Sequence, residues 1–169
     1  MADLAVASVR TRLSTQLDSL TTILAGLAEA DLMREATDGK WSIHHHVAHL
    51  ARHHQVMLQR IDRVRTEASP SLDRYKAELD PEWPAMAARS SEGVIELLQS
   101  LRRDLVRVVD SLSASEWARV GIHPVLGPMN LVEWMDFFLL HEAHHLYTVR
   151  LLAGSRRADG SSPTLSLPT

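Results

Sequence analysis

At 169 residues with 45% hydrophobic composition, the chain has the length of one domain with a sizeable core. A net charge of −3 gives no general attraction to nucleic acid. The absence of cysteine excludes disulfides, thiolate metal ligands and a cysteine nucleophile, which leaves His, Asp and Glu as candidate ligands.

No stretch reaches the roughly 18 consecutive apolar residues of a membrane span. The N-terminal MADLAVASVRTRLSTQL lacks the basic start and apolar block of a signal peptide. The expected compartment is the cytoplasm, with neither nucleic acid nor membrane as a partner. Ten histidines are many for this length, and nine of them fall in two clusters.

Residues 3–28 read as the first helix, because Val6, Val9, Leu13, Leu17, Leu20, Leu24 and Leu27 step by three and four. A polar connection follows, with Asp38-Gly39 marking a turn. Ser42 is the N-cap of a second helix that runs to about Thr66. Its apolar stripe is Ile43, Val47, Leu50, Met57, Ile61 and Val64, and it carries His44, His45, His46, His49, His53 and His54. At about 100° per residue, His46, His49 and His53 lie along one edge of the stripe and His54 lies on it. His44 points elsewhere, which predicts a solvated ring.

Residues 67–81 show turn residues and no sustained period, so a loop is expected, with one short turn at 73–78. The third helix is predicted over about residues 82–112, with Val94, Leu97, Leu98, Leu101, Leu105, Val108 and Leu112 inward. Arg102, Arg103 and Arg107 form a basic run, expected to be a solvated face. Ser113 with Glu116 is a capping-box pattern for a short helix to about Arg119. GIHPVLGPM then reads as a loop, with His123 structural or exposed, and no strand pattern is found anywhere.

Residues 130–152 read as a helix of about six turns. Asn130 is its N-cap, with Glu133 placed for a capping box, and Gly154 reads as its stop. The inward stripe is Leu131, Trp134, Phe138, His141, His145, Val149 and Leu152. His141 and His145 leave one face a turn apart. A lone histidine on such a stripe is ordinarily a satisfied core residue. For two at this spacing, a shared metal ion desolvates and satisfies both rings at once. HEAHH also matches H-E-x-x-H, the zinc-protease helix. That chemistry needs a third ligand downstream, and no Glu or His follows His145.

Four amphipathic helices without strands predict an all-α, four-helix bundle over residues 1–154, followed by a disordered tail at 155–169. In such a bundle His49 faces His141 and His145. Three ligands leave one coordination position open, the pattern of a catalytic site.

KWSIHHHVAHL at residues 40–50, HPVLGPMNLVEWM at 123–135 and HEAHHLYTV at 141–149 resemble the DinB/YfiT-like superfamily. The likeness covers residues 3–153. It implies a four-helix bundle, often a homodimer, and a divalent metal ion on His49, His141 and His145. Zinc and nickel are the first expectation for that ion, with iron and manganese as further members' metals. The resemblance further implies a metal-dependent transferase acting on a small-molecule substrate with a low-molecular-weight thiol such as mycothiol, bacillithiol or glutathione. Other relatives are labelled hydrolases. This chain departs from the pattern at Thr148, where many relatives have glutamine, and at Arg52-His53-His54, where many have an acidic residue. Glu142 is not assigned as a catalytic base. A non-catalytic metal-binding stress-response module and a purely structural bundle are the competing readings.

Overall fold

The computed structural model describes residues 2–36 and 39–160. The apolar periodicities of the sequence become the helices that carry the core. The elements are α1 (Ala2–Thr15), α2 (Asp18–Leu24), α3 (Glu29–Met33), α4 (Ile43–Thr66), α5 (Trp83–Ala87), α6 (Ser91–Ser111) and α7 (Ala114–Trp117). A hairpin of β1 (Val120–His123) and β2 (Gly127–Asn130) precedes α8 (Leu131–Gly160). α4 packs against α6 and α8, and α1 packs against the same two helices. α1 and α4 therefore stand at opposite corners of a four-helix bundle.

The caps read from sequence form as expected. Ser42 Oγ accepts from the backbone N–H of His45, and His45 Nδ1 accepts in return from that of Ser42. At the start of α8, Asn130 Oδ1 accepts from Glu133 N, and the Glu133 carboxylate accepts from Asn130 N. Ser113 and Glu116 form the corresponding box on α7.

Several expectations are corrected. The predicted first helix breaks at Gln16-Leu17, where the Gln16 amide turns inward to the Leu139 carbonyl and the Glu142 carboxylate. The predicted third helix is two, because Ser90 starts a new one by accepting from Gly93 N. Within the 67–81 loop the turn is a 3-10 segment at Ala77–Leu79. The Asp38 half of the predicted turn lies outside the described residues.

The segment read as GIHPVLGPM loop is an antiparallel hairpin, with Val120 opposite Asn130 and His123 opposite Gly127. Its tight return needs the positive φ of Gly127. Gly121 lets β1 approach the bundle: a Cβ there would come within 2.9 Å of Leu72 and Val64 side-chain atoms. Trp134 Nε1 donates to the Gly121 carbonyl, and Ile122 exchanges backbone hydrogen bonds with Pro70 and Leu72. The hairpin is thus stitched to the 67–81 loop and to α8.

Gly154 does not end α8. The helix continues to Gly160, so the first part of the predicted tail is helical. Arg156 donates to the carbonyls of Arg34 and Glu35, and Arg157 to those of Ile23 and Ala25. These bonds hold the extra turns onto the α2–α3 region. Residues 161–169 of the predicted tail lie outside the described residues. No described helix is long and apolar enough to cross a membrane.

The core is two apolar clusters. One holds Leu13, Met57, Leu105, Trp134 and Phe138; the other holds Leu20, Val47, Leu98 and Val149. The chain passes from one cluster to the other at polar residues: Gln16 between α1 and α2, His53-His54 in α4, Arg102 in α6 and His141-Glu142 in α8. A polar layer therefore crosses the middle of the bundle, and the histidines belong to it.

Candidate metal centre

α4 and α8 pack against each other, and their histidine edges meet in that seam. His49, His141 and His145 each place one ring nitrogen within 4.8 Å of the others, and they are the one such candidate metal cluster among the described residues. His141 Nε2 lies 3.3 Å from His49 Nε2 and 3.1 Å from His145 Nε2. His49 and His145 are buried, and His141 is half-buried.

Burial pushes the His49 pKa down to about 3, with the neighbouring His141 and His46 adding to the effect. Burial likewise lowers His141 to about 4, with His144 and Arg60 contributing. His145 falls to about 2, through burial and then the His49 and His141 rings. All three are neutral imidazoles at pH 7. A neutral ring has one N–H, so three converging nitrogens in a confined space cannot all be satisfied by one another. A divalent cation satisfies all three lone pairs together, and the residues present fit one. The donor set is nitrogen only, which suits zinc, nickel, copper or iron better than magnesium or calcium.

The surroundings fix these rings. His46 Nδ1 lies 2.9 Å from His145 Nδ1. Trp41, half-buried just before α4, lies 5.0 Å from the His49 ring and 5.2 Å from Trp83 between centroids. Tyr75 stacks against His49 and His53 on another side. His53, fully buried, sits 4.3 Å from His141 between ring centroids, and its Nδ1 has no hydrogen-bond partner among the described residues. Burial and the His141 ring hold His53 well below the ordinary histidine range.

The other histidines separate cleanly. His44 is not solvated: it is buried, with its ring nitrogens at Ser91 Oγ and the Ala87 carbonyl, because the α5–α6 junction folds over it. His45 completes the α4 cap. His54 places Nδ1 on the Leu50 carbonyl and Nε2 3.5 Å from Glu142. His144 is exposed. His123 is structural, as its Nδ1 accepts from the backbone N–H groups of Val125 and Leu126.

Arg102 is not part of a solvated basic face. It is buried and ion-paired with the buried Glu142, while Arg103 and Arg107 are exposed as expected. Glu142 also accepts from Gln16 and faces His54. The carboxylate is thereby committed to the polar layer, one side around α8 from the ligand face. Burial pushes its pKa up, against the opposing effect of Arg102 and Gln16.

A cavity of about 330 Å³ reaches this centre at His141 and is lined besides by His53, Arg60, Arg74, Tyr75 and Phe137. Arg60 and Tyr75 carry no motif, so sequence reasoning passes over them. Arg60 does follow His53 by seven residues, which places it on the same edge of α4. Thr148, where the resemblance leads one to expect glutamine, donates its hydroxyl to the His144 carbonyl. Arg52, preceding His53, is tied to Asp80 at 2.6 Å and so anchors the 67–81 loop beside the site.

The chain is similar to known proteins over most of its length. A protein of Oceanobacillus iheyensis named "Putative metal-dependent hydrolase OB0413" is 22% identical over 143 residues, spanning 83% of this chain and 80% of its own. The solved structure of YfiT from Bacillus subtilis, described as a probable metal-dependent hydrolase with an unusual four-helix bundle topology, superposes with a TM-score of 0.74. It covers 95% of this chain and 88% of its own, at 22% identity, and so agrees in fold. Residues 12–149, which contain α4, the hairpin and all three clustered histidines, match the DinB superfamily, and the chain belongs to that superfamily.

Proposed function

We propose that the chain is a metal-dependent enzyme in which a divalent ion on His49, His141 and His145 activates a small nucleophile for attack on a small-molecule substrate. The observation that carries this reading is the convergence of three neutral imidazole nitrogens, from two helices, beside a cavity. Zinc and nickel are the first candidates for three imidazoles, with iron next, while manganese rests on the family resemblance alone. Bound there, the ion would supply the Lewis acidity that brings the pKa of a water or thiol near neutrality.

The chain's own residues supply the remainder. His46 holds the His145 ring in one orientation through the Nδ1–Nδ1 contact. Trp41 and Trp83 cover the centre on one side and restrict water. His53 Nδ1, buried and unpartnered next to His141, is placed to hydrogen-bond a group held at the centre.

Water as the nucleophile, giving hydrolysis, accords with the names carried by both relatives. Thiol transfer is the second reading. A chain without cysteine must draw its thiol from a cosubstrate, and a cavity of about 330 Å³ accommodates more than a water molecule. On the family resemblance we also propose that the protein works as a cytoplasmic homodimer. Sedimentation at micromolar concentration should then give about twice the chain mass, and a monomer throughout would contradict it.

The chemical test is cobalt substitution followed by titration with mycothiol, bacillithiol and glutathione. A sulfur-to-cobalt charge-transfer band with one of them supports thiol transfer. A pH-dependent spectral change near neutrality without thiol supports activated water. A cobalt spectrum inert to both overturns the enzyme reading and leaves a non-catalytic metal binder.

A further inference from the structure

The cavity beside the histidine centre is lined by basic side chains, Arg60 and Arg74. Arg60 is buried, and its guanidinium lies 5.2 Å from the Trp134 ring centroid. It donates to the backbone carbonyl of Asp73, whose negative charge also acts on it, and it makes no ion pair within 4 Å among the described residues. Arg74, exposed, lines the same cavity and likewise has no ion-pair partner there. Both arginines act on His123, whose pKa is lowered by burial and then by these two charges, so the three groups converge on one space. His123 Nδ1 accepts two backbone N–H groups, which leaves Nε2 as the protonated donor of the neutral ring. Among the described residues no Asp or Glu lines the cavity, while Phe137, Val125 and Leu126 give it an apolar wall.

A buried guanidinium with no carboxylate in direct contact is costly, and a ligand's oxyanion offsets that cost. Arginine offers a planar fork of donors that matches a carboxylate or a phosphate. The same cavity is lined by His141, a candidate metal ligand.

We propose that this cavity is an oxyanion subsite: the substrate is a small acid whose carboxylate or phosphate sits on Arg60 and Arg74, with an apolar segment against Phe137 and its reacting group toward the three-histidine centre. The orientation of that reacting group rests on the metal-enzyme reading above; the anion subsite stands on the arginines alone. Affinity at the subsite falls as ionic strength rises, because the contact is between charges.

The test is calorimetric titration of the full chain with benzoate, phenyl phosphate and benzamide, first with chelator present and then with zinc added. Chelator removes any direct binding of the anion to metal. The two anions should bind the chelated protein, and benzamide, neutral and similar in shape, should bind roughly tenfold more weakly or not at all. Whichever anion binds more tightly identifies the oxyanion the site prefers. Arg60→Met and Arg74→Met should each weaken anion binding by roughly tenfold, whereas Arg103→Met, on the exposed face of α6, should leave it unchanged. Should Arg60→Met fail to fold, the exposed Arg74 decides the question. Equal affinity for benzamide and benzoate, unaltered binding in Arg74→Met, or anion binding that appears only with zinc each overturns the subsite. Anion binding in chelated protein that takes up no zinc would leave the subsite standing and remove the metal-enzyme reading.

Discussion

His46 on α4 and His145 on α8 meet through their Nδ1 atoms at 2.9 Å. One proton must lie between them, so one ring donates and the other accepts. Burial and the nearby His144 and His45 rings hold His46 near pKa 4, and both partners are neutral. When His145 donates from Nδ1, its Nε2 lone pair is free toward His141 and His49, the tautomer a metal ligand needs. His46→Ala should therefore weaken metal binding by roughly 10- to 100-fold while leaving the helical content intact. Competition titration against a chromophoric chelator measures this. Affinity equal to that of the parent protein would show that His46 does not orient the ligand.

The buried Arg102–Glu142 pair ties α6 to α8 in the polar layer. Removing one member leaves the other charge in the core. Arg102→Met and Glu142→Leu should each cost about 3–5 kcal/mol, and the double variant should lose clearly less than the sum. Urea unfolding in the presence of chelator provides the comparison. Additive losses would mean the two side chains do not act as a pair.

Acid should destabilise the metal-free protein in a defined range. Burial, with Arg102 adding to it and the Leu50 hydrogen bond opposing, holds His54 at about 3, against 6.5 for a free ring. Between those values the unfolded chain takes up a proton that the folded one refuses. The stability is complete above pH 6.5 and falls as the pH drops toward 3, by about 1.4 kcal/mol per pH unit for this ring. His54→Leu should flatten the slope of unfolding free energy between pH 6 and 4, as read by urea melts. An unchanged slope would mean His54 titrates as freely in the folded chain as in the unfolded one.

The last turns of α8 should add stability although they are far from the site. A chain ended at Ser155 loses the Arg156 and Arg157 bonds to the α2–α3 region. Its melting temperature should fall by roughly 4 °C. No change on truncation would show that the clamps are energetically neutral.

Much of this was legible in the chain. The stripes of α4 and α8 placed Ile43, Val47, Leu50, Trp134 and Phe138 inward, and all are buried. The same periodicity put His49, His141 and His145 on facing edges, where they meet. Other features depend on tertiary context. The inward turn of Gln16 breaks the first helix for a hydrogen bond to a carboxylate on α8, which no local pattern encodes. Arg102 reads as surface because its counter-ion lies forty residues away in sequence. The strands of the hairpin have four residues each and contain Gly121, Gly127 and Pro128, too short and too broken for a period-two signal. Gly154 reads as a helix stop by its residue type, yet the arginines beyond it hold the helix on.

The central claim is that His49, His141 and His145 hold one divalent ion. The direct measurement is metal per chain by elemental mass spectrometry, on protein purified without an affinity tag and reloaded with zinc or nickel. The parent protein should hold about one ion per chain. His49→Ala, His141→Ala and His145→Ala should each hold little, while His144→Ala, altering an exposed ring on the same helix, should match the parent. Equal metal in all four variants, or none in the parent under any loading condition, would contradict the account.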